Sequence, residues 1–283
     1  EKLVCSLDEL EPYLRTSIVD EVVLGLPAPS CYFDSERVVR ACEQQGITVR
    51  LLSDFFNVKV ASARVETFDD QPFITLATGR MDGGSVAVKR ILDIVLSGAL
   101  MVLLAPVYLA ICVAIKLTSK GPILFVQERI GVGKRRFPLY KFRTMVTDAE
   151  AKQAELEHLN EASGPVFKIE NDPRITKLGS FLRRTSLDEL PQLTNVFLGD
   201  MSLVGPRPLP VRDYEGFSED WHRRRFSVRP GLTCLWQIQG RSRVTFERWM
   251  ELDMQYIDEW SLWLDMKILV KTVPVVIKGT GAA

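Results

Sequence analysis

The densest chemistry in this chain lies in seven consecutive residues, Arg183, Arg184, Thr185, Ser186, Leu187, Asp188 and Glu189. Two arginines just ahead of two adjacent carboxylates form a set that can bind an anion and attack it. Ser186 followed three residues later by Glu189 has the spacing of a capping box, so the stretch is expected to open a helix, with Pro191 tolerated near its start. That reading accounts for Ser186 and Glu189 and leaves Asp188 and the arginines over. A helix N-terminus attracts phosphate through free N–H groups and its dipole, and arginine adds charge and paired hydrogen bonds, so a diphosphate could dock here. An aspartate beside it could attack phosphorus and form an acyl phosphate, given a divalent cation to relieve the repulsion between carboxylate and phosphate oxygens. By pattern alone, this stands level with a surface capping motif.

Lys and Arg recur beside Gly and Pro in four stretches, 127–145, 178–193, 202–210 and 223–232. Taken singly, runs such as 134–136 and 223–225 read as solvated faces or contacts to anionic headgroups. Their recurrence points to an anion site. No P-loop, HExxH or nucleophile-elbow motif offers other chemistry, and two histidines, His158 and His222, leave little room for histidine-based schemes.

The elements that must position these residues read as two parts. Residues 18–26 form an apolar run ended by Pro27 and Pro29, a buried strand. A helix is expected from Glu36 to Gln45, capped by Ser35, with Val38, Val39 and Cys42 on one face and Gly46 as its stop. Strands follow at 47–54 and 72–78, so residues 1–80 read as the later half of an α/β unit with parallel strands. Met81 to Ser85 has linker composition, and residues 81–88 are assigned to a linker. From Ile94 to Ile115 the chain runs 22 residues without a charge, about what spans a ~30 Å hydrocarbon core. Pro106 interrupts it, and Lys89 and Arg90 at one end face Lys116 and Lys120 at the other. A re-entrant hairpin over 89–118, broken at Ala105 and Pro106, satisfies both the proline and positive charge at both ends. A plain transmembrane helix with a tolerated proline is the alternative. Asp93 is expected at the interface, beside Arg90 on the same helix face. The C-terminal stretch with Trp249, Trp260 and Trp263 suits either a headgroup region or an ordinary core.

The composition bounds the rest. At 283 residues, 46% hydrophobic and 25% charged, the chain is an ordinary globular sequence of about two domains, not a disordered or collagen-like one. Basic and acidic residues number 36 each, so no global basic field calls for nucleic acid. Five scattered cysteines without CxxC spacing indicate reduced thiols. The opening at Glu1, without initiator Met or signal peptide, is expected of a piece of a longer parent.

From Lys89 onward the sequence resembles the bacterial monotopic phosphoglycosyl transferases, which start exopolysaccharide or O-antigen assembly on undecaprenyl phosphate. The resemblance rests on KRILDIVLSG, GPILFVQERIGVGKRRFPLYKFRTM, LRRTSLDELPQLTNVFLGDMSLVGPRP and RPGLTCLWQIQGR, and covers about two thirds of the chain. It implies a fold of an N-terminal Rossmann-like α/β part, 1–80, and a mainly α catalytic domain, 119–283, with the re-entrant membrane helix between them. It implies transfer of a sugar 1-phosphate from a UDP-sugar to undecaprenyl phosphate, with UMP released, through a covalent intermediate on Asp188. Glu189 would be its dyad partner, Arg183, Lys141 and Arg143 would hold phosphate or substrate with Pro206, Arg207 and Pro208, and Mg2+ would sit with Asp188. Membrane lipids of the bacterial inner membrane, a catalytic domain on its cytoplasmic face and a homodimer through the α/β part also follow from the resemblance. Two departures are Ala105, where some members place Ser before the proline, and Cys234, where glycine is common. A non-catalytic, membrane-anchored adaptor of the same fold is the competing reading, and the identity of the sugar is left open.

Overall fold

The computed structural model describes residues 5–17, 19, 21–24, 32–45, 47–51, 61–68, 71–78, 83–161, 164–167, 169, 172–240 and 244–278. It divides into two compact units, residues 1–77 and 78–283.

In the first unit, α1 (Leu10–Thr16) and β1 (Glu21–Leu24) precede α2 (Tyr32–Gln45) and β2 (Thr48–Leu51). β1 and β2 pair in parallel, Glu21 opposite Thr48 and Leu24 opposite Leu51, so α2 is the crossover of one βαβ unit. Leu14, Leu24, Val38, Ala41 and Cys42 form its core. Two expectations are corrected. α2 begins at Tyr32, with Asp34 in its first turn where a carboxylate suits the dipole, so Ser35 lies inside the helix rather than capping it. Val38, Ala41 and Cys42 complete the buried stripe, and Val39 faces out. The sequence reading also passed over β3 (Ala61–Phe68), which pairs with β4 (Gln71–Thr78) in a separate two-stranded sheet. A single βαβ unit falls short of a Rossmann sheet. The expected stops at Pro27, Pro29 and Gly46, together with Cys31 and Met81, lie outside the described residues.

The second unit opens with α3 (Gly83–Leu103), so residues 83–88, expected in a linker, are helical. Composition misled here, because the first turn of a helix tolerates glycine when tertiary contacts hold the next turns. Leu104 interrupts the helix, and α4 (Ala105–Thr118) leaves at a 60° bend with Pro106 in its first turn, where the missing N–H costs nothing. Among the described residues no single helix is long and apolar enough to cross a membrane, while this bent pair together is. Val102, Leu103, Leu109 and Leu117 are all more than 65% exposed on it.

Three polar residues at the start of α3 fasten it to the unit. Lys89 donates to the Asp265 carboxylate and to the Val204 carbonyl (3.0 Å), and Arg90 donates to the carbonyls of Val196 (2.6 Å) and Phe197 (2.7 Å). Asp93 is buried, not interfacial, and accepts from the Leu203 N–H at 3.0 Å. Arg90 thus serves carbonyls rather than Asp93.

The remaining elements are β5 (Leu124–Ile130), β6 (Arg136–Phe142), α5 (Lys177–Arg184), α6 (Gln192–Leu198), β7 (Ser202–Val204), β8 (Leu209–Pro210), α7 (Val211–Glu215), β9 (Gly231–Thr233), α8 (Leu235–Gln239), α9 (Phe246–Glu259) and α10 (Leu262–Lys278). β6, β5 and β8 form an antiparallel sheet, and β7 pairs with β9 in parallel. The unit is therefore mixed, with helices around two small sheets. Its main core joins Leu193, Val196, Met201, Leu203, Leu252, Tyr256, Trp260 and Ile268. Trp249 and Trp260 belong to cores, while Trp263 is 67% exposed under Lys267.

Candidate active site

α5 ends at Arg184, and the chain then turns through Ser186, which adopts a left-handed conformation (φ 56°, ψ 16°). That conformation is uncommon for a non-glycine residue, and it redirects the following single 3-10 turn, Leu187–Glu189, so that Asp188 is buried. The expected capping box is overturned. Ser186 makes no side-chain cap, and α6 begins only behind Pro191. The Glu189 carboxylate accepts instead from Lys141 Nζ (3.1 Å) and Arg207 Nη2 (2.7 Å). Two charge-assisted bonds to cations outweigh one bond to a backbone N–H.

Lys141 comes from β6 and Arg207 from the loop between β7 and β8, so with Glu189's own turn three separate stretches meet here. Asn195 fixes the spacing between two of them. It is fully buried on α6, donates to the Pro138 carbonyl (2.7 Å) and accepts from the Tyr140 N–H (3.1 Å), which registers β6 against the helix behind Glu189. Nothing in the local sequence singles it out.

The two adjacent carboxylates have opposite surroundings. Burial alone would raise Glu189, but Arg207 and Lys141 outweigh it and hold the carboxyl far below its usual range. Burial pushes Asp188 up, Glu189's charge adds to the rise, and Lys141, Arg183 and Arg207 pull against it without prevailing. Burial lowers Lys141 and Arg183, whereas Glu189 raises Arg207. Asp188 has no side-chain hydrogen bond or ion pair among the described residues, so its lone pairs are uncommitted beside three cations.

Arg183 donates through Nε to Thr144 Oγ1 (3.1 Å), forms no ion pair among the described residues, and lies in the field of Asp188 and of Asp172. The structure does not bring Arg143 into this group. Its guanidinium is buried and donates to Ser119, at the carbonyl (3.2 Å) and Oγ (2.7 Å), so it ties the end of α4 to the end of β6. Pro206 and Pro208 flank Arg207 as buried loop residues. Arg225, read as part of a solvated run, is 2% exposed and paired with Asp253 at 2.8 Å.

No group of three or more His, Cys, Asp or Glu side chains able to hold a metal occurs among the described residues. A cation such as Mg2+ needs few protein ligands when substrate phosphates supply the others, and Asp188, with open lone pairs, fits that role while Glu189 does not.

Residues 84–279 match the family model described as bacterial sugar transferase. The chain is 39% identical over 283 residues to the galactosyl transferase CpsE of Streptococcus agalactiae, covering 99% of this chain and 62% of that protein. It is 41% identical over 204 residues to the undecaprenyl-phosphate galactose phosphotransferase of Salmonella typhimurium, covering 69% and 41%. It is 36% identical over 214 residues to the exopolysaccharide production protein ExoY of Rhizobium meliloti, covering 74% and 94%. The chain spans between 48% and 62% of the length of three of the curated relatives it matches.

Proposed function

The chain belongs to the bacterial sugar transferases, and from that premise we propose that it moves a sugar 1-phosphate from a UDP-sugar to undecaprenyl phosphate at the cytoplasmic face of the bacterial inner membrane. The observation that carries this reading is the division of labour between neighbouring carboxylates, with Glu189 spent on Lys141 and Arg207 and Asp188 left open among cations. Paired carboxyls whose surroundings push them apart mark distinct chemical roles.

In the first step an Asp188 oxygen attacks the phosphorus that carries the sugar. The bond from that phosphorus to the bridging oxygen breaks, UMP leaves with the oxygen, and an aspartyl phosphosugar remains. In the second step an oxygen of undecaprenyl phosphate attacks the same phosphorus, the bond to Asp188 breaks, and the lipid diphosphosugar leaves with the carboxylate restored. Arg183, Lys141 and Arg207 supply positive charge for the phosphate oxygens, and Glu189 orients Lys141 and Arg207. Magnesium, held by Asp188 and the diphosphate, would supply charge neutralisation.

Two displacements at one phosphorus let a soluble donor and a lipid acceptor share a site in turn. The bent α3–α4 pair, with its exposed apolar faces, serves as a re-entrant anchor that keeps the site at the lipid surface. Names of relatives include both galactose and glucose transferases, so the donor is one of these or a close analogue.

The test is UMP release from UDP-galactose, UDP-glucose and their N-acetylated forms by protein in nanodiscs with magnesium and undecaprenyl phosphate. Release from one donor, lost in Asp188→Asn, is the expected result. Release that survives the substitution would remove Asp188 as the nucleophile.

A further inference from the structure

We propose that Arg225 and Arg129 are positioning residues that hold Arg207 in the active site through its main chain. The proposal rests on the reading of Arg207 given above.

Arg207 stands between two prolines, neither of which has an N–H to donate, so few donors of its own can pin this loop. It is pinned through its acceptors. The Pro206 carbonyl accepts from the Gly231 N–H (2.9 Å), the Arg207 carbonyl from Arg225 Nη2 (2.7 Å), and the Pro208 carbonyl from Arg129 Nη1 (3.1 Å). Three consecutive carbonyls are thus held by three separate parts of the chain. Gly231 can approach only because it has no side chain, since a Cβ there would lie 2.0 Å from the Gly205 nitrogen.

Arg225 is an expensive residue to use in this way. It is 2% exposed, its counterion Asp253 is 1% exposed, and its guanidinium carbon lies 5.2 Å from the centre of the Trp249 ring. A buried ion pair gives the fold no more than well-packed apolar residues of the same volume would. Here Nη2, which lies 2.8 Å from the Asp253 carboxylate, also reaches the Arg207 carbonyl, a contact no apolar residue could make. Arg129 does the same from the sheet, where β5 pairs with β8, and its other arm is held by Gln127 Oε1 at 2.6 Å. With its backbone fixed on both sides, Arg207 directs its guanidinium to Glu189.

A double-mutant cycle separates positioning from general stability. Because Arg225→Ala would strand the buried Asp253 charge, the pair is replaced together as Arg225→Met with Asp253→Leu, in the full chain and with Arg207 either intact or replaced by Ala. Folding is checked by thermal melting, and kcat/KM is taken from UMP release with UDP-galactose and UDP-glucose as donors. With Arg207 intact the replacement is expected to lower kcat/KM by about 10²-fold, the scale of a misplaced reacting group. In the Arg207→Ala background the further loss is expected to be within about twofold. Equal losses in both backgrounds, or no loss with Arg207 intact, would overturn the proposal. Full activity of Arg207→Ala alone would overturn it together with the reading of Arg207, and that shows before any Arg225 variant is compared. If the double replacement fails to fold, Arg129→Met in the same cycle decides the matter, with the same expected and contrary results.

Discussion

Replacing Glu189 by Gln tests the electrostatic frame of the site. The Glu189 side chain is 17% exposed and accepts from Lys141 at 3.1 Å and Arg207 at 2.7 Å. Both donors reach the same oxygen, Oε1, so Gln can keep both contacts but not the charge that strengthens them. Hydrogen bonds to charged groups contribute about 1.5–3 kcal/mol and neutral ones about 0.5–1.5 kcal/mol, so the variant loses about 1–1.5 kcal/mol per bond, or about 2–3 kcal/mol. For a unit of this size that is a fall in Tm of about 4–12 °C. The folded-state pKa of Glu189 lies below its ordinary value of 4.5, so its stabilisation is fully present above that value and fades as pH falls through the folded one. The gap between wild type and Glu189→Gln is therefore constant from pH 7 to about pH 5 and narrows by about 1.4 kcal/mol per pH unit once pH passes below the ordinary carboxylate range. The variant also moves the acid limb of UMP release downward in pH, because Glu189's charge is one of the influences that raise Asp188. Thermal melting at pH 7 and 3.5 and a pH–rate profile measure both effects. An unchanged Tm at pH 7, or an acid limb displaced upward, would refute the reasoning.

Two further predictions follow from the same geometry. Asp188→Asn should melt at a higher temperature than wild type at pH 7 while losing UMP release: the folded pKa of Asp188 is raised above 3.8, so its ionised form destabilises the fold above that pKa, and the gain should vanish at pH 3. Cysteines introduced singly as Val88→Cys and Lys120→Cys, in a background without native cysteines, should both resist a membrane-impermeant maleimide in intact cells and both react in inverted vesicles; reaction of one from outside would show a span instead of a re-entrant pair.

What could be read from the sequence depended on how local the cause was. The bend between α3 and α4 was legible because a charge-free run and one proline are short-range facts. Asp188 stood out because a capping box left it unexplained. The same capping box misled over Ser186 and Glu189, since the partners that claim Glu189 lie 48 residues back, at Lys141, and 18 residues on, at Arg207. Arg225 looked like one of three solvated arginines, and the partners that take it inside, Asp253 on α9 and the Arg207 carbonyl, lie far from it along the chain. Arg143 sits two residues from Lys141 in one motif, yet strand alternation has no power to say that its guanidinium closes the end of α4 while Lys141 enters the site. Residues 83–88 reversed their expected state for a related reason, because α3 is fastened by Lys89, Arg90 and Asp93 to carbonyls, a carboxylate and an N–H far along the chain.

The most direct measurement is intact-protein and peptide mass spectrometry of the protein in nanodiscs after incubation with a UDP-sugar and magnesium, with no undecaprenyl phosphate present. A gain of one sugar phosphate on the peptide containing Asp188, absent in Asp188→Asn and discharged when undecaprenyl phosphate is added, is the expected result. UMP release and lipid product formed without any such adduct, or an adduct on another residue, would contradict a covalent role for Asp188.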